Sequence, residues 1–434
     1  MTTFWCEHAW VGGAAPGVVV EVDDGLITAL SRAATPPAGA YVLRGMVFPG
    51  FANVHSHAFH RALRGRTHAD GGTFWTWRRS MYELAATLTP DNYLRLATAA
   101  YAEMVVAGVT VVGEFHYVHH PPGGGRYADP NAMGDALAEA ALAAGLRMTL
   151  LDTCYLTGGI GTALSPEQQR FSDGSVDAWA ERALSRSDHP RTRVGAAIHS
   201  VRAVPRAAIA DIASTVAGRP LHVHVSEQPA ENEACLAAYD LTPVRLLAES
   251  GALGPSTTAV HATHLTGDDI ATLGSSHTAV CFCPTTEADL ADGIGPAREL
   301  VDAGAPLSLG SDQHAVVDPL AEARALEHGE RLRTGRRGRF TPDELITALT
   351  SAGNAALGWP DAGTIRVGAP ADLTAVRLDS VRTAGSRPEQ VLYAATAADV
   401  HTVVSHGAVV AENGRHTRLG DVGRLLTETI EELS

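Results

Sequence analysis

Three histidines, His55, His57 and His60, fall within six positions at the end of the apolar run "MVFPGFANV". Successive side chains of a strand point to opposite faces, so His55 and His57 share one face. Two imidazoles on one face can grip a single metal ion. Three further stretches carry polar groups where a strand should meet its loop. They are "HVHVSEQ" with His222, His224 and Glu227, "VHATH" with His261 and His264, and "LGSDQH" with Asp312. Three imidazoles and a carboxylate suit Zn2+, with Fe2+ as the second choice, at one ion per chain. Such a site would lower the pKa of a water toward neutrality. His222 shares a face with His224 but lies one layer deeper, and reads as structural. A lone histidine or aspartate at a strand end ordinarily forms a hydrogen bond or a helix cap. The four stretches therefore argue for a metal site only together.

Something must carry all four stretches to one place. Eight short β-branched runs, at residues 46–55, 109–117, 147–155, 193–200, 221–227, 258–264, 278–284 and 306–312, read as strands. Segments such as "PDNYLRLATAAYAEMVVAG" and "DPNAMGDALAEAALAAG" lie between them and read as helices, the second stopping at a glycine. Strand alternating with helix eight times predicts an α/β fold, a (β/α)8 TIM barrel over residues 46–363, with an open doubly wound sheet as the alternative. Barrels keep their chemistry at the C-terminal strand ends, where all four stretches fall. Residues 1–45 and 364–434 hold short strands without a full βα unit, and predict a small composite β-sandwich domain formed by the N- and C-terminal segments. The Gly- and Pro-rich stretch "PPGGGRYADP", residues 121–130, is expected to form a mobile loop at the mouth.

Composition narrows the function. The formal charge is −15, which argues against nucleic acid as a partner. The one basic cluster, "RLRTGRRGR", reads as a solvated loop. Five cysteines at scattered positions with no C-x-x-C argue against a disulfide framework or a thiolate zinc site. No apolar run approaches the ~20 residues of a membrane helix, and the start lacks a signal-peptide pattern, so no membrane partner and a cytoplasmic location are expected. The chain contains no lysine at all; every basic residue is arginine. Schiff-base chemistry, a P-loop lysine and a carboxylated-lysine metal bridge are thereby excluded.

The pattern H-x-H after strand one, H-x-x-E at strand five, H at strand six and D at strand eight resembles the amidohydrolase superfamily. The absence of lysine points to its mononuclear deaminase branch, because binuclear members commonly use a carboxylated lysine. The resemblance covers nearly the whole length, including the split sandwich suggested by "GAPADLTAVRLD". It implies that His55, His57, His224 and Asp312 ligate the metal, that Glu227 shuttles protons, and that His261 orients or polarises the attacking hydroxide. Asp312 would also accept a proton, making Glu227, His261 and Asp312 the catalytic group. A homodimer is the habit of the family.

Substrate choice turns on arginine. Arg202 lies just past strand four, beside the expected mouth. An arginine facing a metal cation is unfavourable unless an anion lies between them, and bidentate carboxylate pairing is the natural solution. Arg78, in the aromatic stretch "FWTWRRSMY", suggests a second carboxylate; a surface arginine packed on tryptophan is the alternative. A small dicarboxylate carrying a C=N–H group fits. The stretches "HSHAFHRALRG", "FWTWR", "EFHYVHH" and "HSVRAV" resemble branch members that hydrolyse N-formimino-L-glutamate to N-formyl-L-glutamate and ammonia in histidine degradation. That resemblance implies substrate contacts from Arg78, Tyr117, His199, Arg202 and His60, the last at a position where some members carry glutamine. A deaminase of guanine or another heterocycle, and a non-catalytic metal-binding barrel, are the competing readings.

Overall fold

Between Phe48 and Phe51 the chain passes from one sheet into another. The computed structural model describes residues 1–68 and 74–433. Strands β1 (Thr2–Trp10), β2 (Ala14–Asp23), β3 (Leu26–Arg32) and β4 (Tyr41–Pro49) belong to a small sheet. The barrel follows as β5 (Phe51–Ser56), β6 (Val109–His116), β7 (Arg147–Cys154), β8 (Thr192–Ser200), β9 (Leu221–Val225), β10 (Thr257–His261), β11 (Ala279–Phe282) and β12 (Leu307–Leu309). These eight pair in sequence order, all parallel. The small sheet is completed by β13 (Leu373–Val376), β14 (Val400–Ser405), β15 (Ala408–Glu412) and β16 (Arg415–His416). The α/β barrel with a second unit built from both chain ends is therefore present.

Two expectations need correction. The run at residues 46–55 is two strands: Met46–Pro49 pairs with β1 and β13 in the small sheet, and the barrel begins at Phe51. The apolar run does not break where the sheet changes, because both halves are buried. The break is steric. A Cβ on Gly50 would lie 2.3 Å from Thr110 Oγ1 and 2.9 Å from Asp372 Cβ, so only glycine passes between the two units. The terminal strands, expected as a sandwich, form one continuous sheet in the order β16-β15-β14-β13-β4-β1-β2-β3. Phe4, Cys6, Val20, Val22, Leu43, Leu373 and Ala375 pack in its own core.

The barrel closes through backbone rather than through a full strand pair. The amides of Ser311 and Asp312 donate to the His55 carbonyl at 3.1 and 2.9 Å, and the His57 amide donates to the Asp312 carbonyl at 3.1 Å. A Cβ on Gly310 would lie 2.8 Å from both His55 N and Cβ, so glycine permits this approach. A buried cluster joins Ala52 and Val54 of β5, Val111 of β6, Val260 of β10 and Cys281 of β11 to Leu357. Helix Pro90–Val106 starts at a Thr89 capping box, and helix Ala132–Ala144 stops at Gly145 in the left-handed region. Among the described residues no helix is long and apolar enough to cross a membrane. The basic cluster is engaged internally: Arg331 pairs with Glu327, and Arg333 and Arg339 with Glu330.

Candidate active site

His55 lies near the C-terminal end of β5 and His57 just beyond it, and Asp312 follows β12 across the seam that closes the barrel. Asp312 holds a left-handed backbone (φ 41), as does His261 (φ 69) at the end of β10. Such conformations are costly for non-glycine residues and persist where packing over-determines them. Here the two backbone hydrogen bonds across the seam do so for Asp312. Its Oδ1 stands 3.4 Å from His55 Nε2 and 3.3 Å from His57 Nε2, and His224 Nε2 stands 3.0 Å from His55 Nε2. The donor atoms of His55, His57 and Asp312 lie within 4.8 Å of one another, as do those of His55, His224 and His261.

These atoms fit one divalent ion. Bonds of about 2.0–2.1 Å to a common centre put neighbouring ligand atoms roughly 3 Å apart. The ring orientations agree. His57 Nδ1 donates to the Phe115 carbonyl at 2.9 Å, and His224 Nδ1 to the His199 carbonyl at 2.9 Å. A carbonyl only accepts, so both rings are fixed with the Nε2 lone pair facing the centre. Burial, then the neighbouring imidazoles, hold His55 and His224 well below the ordinary histidine range and His57 down to about 3. They are neutral, as ligands must be.

His261 differs. It stacks on His224 with ring centroids 5.5 Å apart. Burial acts to keep it neutral, but Glu227, Glu287 and Asp312 surround it and push its pKa up to about 10; a cation beside it opposes that push. Its Nε2 is 3.9 Å from both Glu227 Oε1 and Asp312 Oδ2, and its Nδ1 is 3.5 Å from Glu287 Oε1.

A cavity of about 280 Å³ opens over this cluster. His57, His224, His261, Asp312, Glu227, Arg78, Tyr117, His199, Arg202 and His60 all line it, and His55 lies beneath. The structure thus brings together every residue that the sequence nominated for the site. His60 Nε2 is 3.0 Å from the Tyr117 hydroxyl. Arg78 Nε donates to the Tyr82 hydroxyl at 2.6 Å, and its guanidinium lies over the Tyr82 ring. The side chains of Phe74 and Trp75, in the stretch quoted around Arg78, lie outside the described residues. His222 is structural, against the Ala356 carbonyl.

Two readings fail. Residues 121–130 do not line the cavity; Gly158, Gly159, Ile160 and Phe171, from the segment after β7, do. Glycine and proline marked a loop correctly, but the barrel's strand order decides which loop overhangs the mouth. Nor does Arg202 require an outside anion: Glu227 Oε2 accepts from its Nη2 at 3.1 Å, and Glu231 Oε2 lies 3.2 Å from its Nε. Glu231, Glu287, Tyr155 and Gln168 were missed. Glu231 sits in the first turn of helix Pro229–Tyr239, where an acid is expected for the helix dipole alone. Gln168 donates to the hydroxyls of Tyr155 and Tyr82 at 2.7 and 3.1 Å, a link no local pattern announces.

The profile of the Amidohydrolase family matches residues 46–410. Over its full length the chain is 35% identical to all of formimidoylglutamate deiminase from Pseudomonas aeruginosa. It is 33% identical to 8-oxoguanine deaminase of the same organism, over 86% of this chain and 84% of that one. Among solved structures, an amidohydrolase from Brucella melitensis superposes with a TM-score of 0.91 at 29% identity, covering 100% of both chains. A zinc-bound adenosine deaminase from Xanthomonas campestris shares the fold at TM-score 0.84 and 23% identity, covering 99% of this chain and 97% of that one. With its seam-held histidines, its aspartate and this full-length likeness, the chain belongs to the amidohydrolase family.

Proposed function

We propose that the protein hydrolyses N-formimino-L-glutamate to N-formyl-L-glutamate and ammonia. One observation carries the reading: Arg78 and Arg202 line the same cavity as the His/Asp cluster. A substrate with two carboxylates and one amidinium matches both the guanidinium groups and the carboxylate of Glu227. The full-length likeness to formimidoylglutamate deiminase supports it.

Zn2+, one ion per chain, held by His55, His57, His224 and Asp312, would polarise the C=N group and acidify water. Asp312 takes a proton from the attacking water as the C–O bond forms. His261, 3.9 Å from both acids, steadies the charge that develops on the oxygen. The proton lost by the water reaches the nitrogen through Glu227, and the remaining hydroxyl proton passes to Asp312 as the C=O bond forms and the C–N bond breaks, so ammonia leaves rather than an amide ion. Arg78, Arg202, Tyr117, His199 and His60 hold the carboxylates and backbone of the substrate. The same reading makes the protein a cytoplasmic homodimer of histidine degradation.

A second reading, deamination of a purine-like heterocycle, is favoured by the likeness to 8-oxoguanine deaminase and by the aromatic wall of Trp77, Tyr82, Tyr155 and Phe171. Ammonia release separates the two. The zinc-loaded protein should release ammonia from N-formimino-L-glutamate and none from guanine or 8-oxoguanine; the reverse result assigns the heterocycle.

A further inference from the structure

Arg202 is held by two carboxylates that are anchored differently. Glu231 is 1% exposed, and its second oxygen accepts the Ser226 amide at 3.2 Å. Its oxygen toward Arg202 meets the Nε edge at 3.2 Å. Glu227 takes the Nη2 edge at 3.1 Å, while its other oxygen faces His261 at 3.9 Å. The guanidinium therefore has one fixed partner and one partner shared with the chemistry. All three side chains line the cavity.

We infer that Arg202 gates Glu227: in the free protein it occupies the carboxylate that must move protons, and a carboxylate of the substrate takes Glu227's place on the guanidinium while Glu231 keeps the other edge. The inference rests on the reading of the substrate as a carboxylate-bearing imine. The physical ground is charge conservation at a buried site. Stranding a half-buried guanidinium is costly, whereas trading one carboxylate for another leaves it neutralised throughout. Arginine's forked donors serve either arrangement. Glu227 is the partner exchanged because it lacks the backbone anchor that fixes Glu231. The consequence is selectivity in turnover: an imine without carboxylates can enter but leaves Glu227 locked.

N-methylformamidine, which has no carboxylate, tests this. Its kcat should lie about 100-fold below that of N-formimino-L-glutamate, and saturating succinate should raise it about tenfold. In Arg202→Gln the unstimulated kcat for N-methylformamidine should rise about fivefold and succinate should no longer activate. An arginine that only binds substrate gives the opposite: no activation by succinate, and an N-methylformamidine kcat unmoved by the substitution. Either result overturns the gate. A crystal structure of the unaltered chain with N-formyl-L-glutamate supplies a readout independent of turnover and of the variant's folding. It should show Arg202 withdrawn from Glu227 and still on Glu231; a retained Arg202–Glu227 pair overturns the proposal. Ammonia from N-formimino-L-glutamate, measured separately, tests the substrate reading. Turnover of that substrate with the pair retained sinks the gate alone.

Discussion

His57 and His224 present only Nε2 to the centre because a backbone carbonyl occupies the other ring nitrogen of each. The metal-binding tautomer is thus set by main chain, which no side-chain substitution at the mouth disturbs. Glu227 stands outside that set. It contacts Arg202 and faces His261, but none of the distances that define the His/Asp cluster involves it. Glu227→Gln should therefore lower kcat by about 10²–10⁴ while zinc content per chain, measured by elemental analysis, stays that of the parent. Full activity in the variant would remove Glu227 from proton transfer.

The seam between β12 and β5 is the element on which the site depends. Asp312 is aimed by the same amide and carbonyl contacts that close the barrel, so closure and ligand placement are one event. Gly310 holds the approach distance. Gly310→Ala places a methyl 2.8 Å from His55 N and Cβ, atoms of the main chain or fixed directly to it that no rotamer change moves away. The expected cost is about 1–3 kcal/mol. The expected result is a lower unfolding temperature together with weaker zinc retention on dialysis, because His55 must shift with its strand. A variant that retains zinc like the parent would show that closure and ligation are separable. Farther out, Arg182 on helix Val176–Ala183 binds Asp152 of β7 at 2.7 and 2.8 Å and Asp173 at 2.8 Å. Burial acts to raise the Asp152 carboxyl, but Arg182 outweighs it and holds the group well below the usual carboxylate range. A depressed folded pKa means stability that is full above the unfolded value of ~3.9 and is lost as pH falls below it toward the folded value. Asp152→Asn should cost about 3 kcal/mol at pH 7. The gap from the parent in thermal unfolding should shrink as the pH drops under about 4. A gap that stays constant down to pH 3 would contradict the ion-pair account.

At the scale of the whole molecule, a metal at the proposed site would be a ligand of the folded state alone. The cluster draws donors from β5, β9 and the segment after β12, which are separated by more than 80 residues at each step. The unfolded chain cannot assemble that set. Zinc at 100-fold over its dissociation constant should then stabilise the fold by about 2.7 kcal/mol. Calorimetric unfolding of chelator-treated protein, with and without added zinc, measures it. An unfolding temperature indifferent to zinc would argue against a preformed four-donor site.

Local pattern in the sequence was enough for the barrel and for the polar groups at its strand ends; Tyr117, His199 and His60 were nominated by the family resemblance. Short β-branched runs alternating with helical segments are properties of short windows, and H-x-H places two imidazoles on one face wherever the strand lies. The change of sheet at Gly50, the seam at Gly310, and the Glu231 carboxylate that meets Arg202 were decided only in three dimensions. Each depends on how closely two elements remote in sequence approach, and at what angle. Strand-to-helix geometry turned Glu231 from an ordinary first-turn acid into the buried counter-charge of an arginine 29 positions earlier. Spacing along a chain records which way a side chain points from its own backbone; packing between elements decides what it meets there.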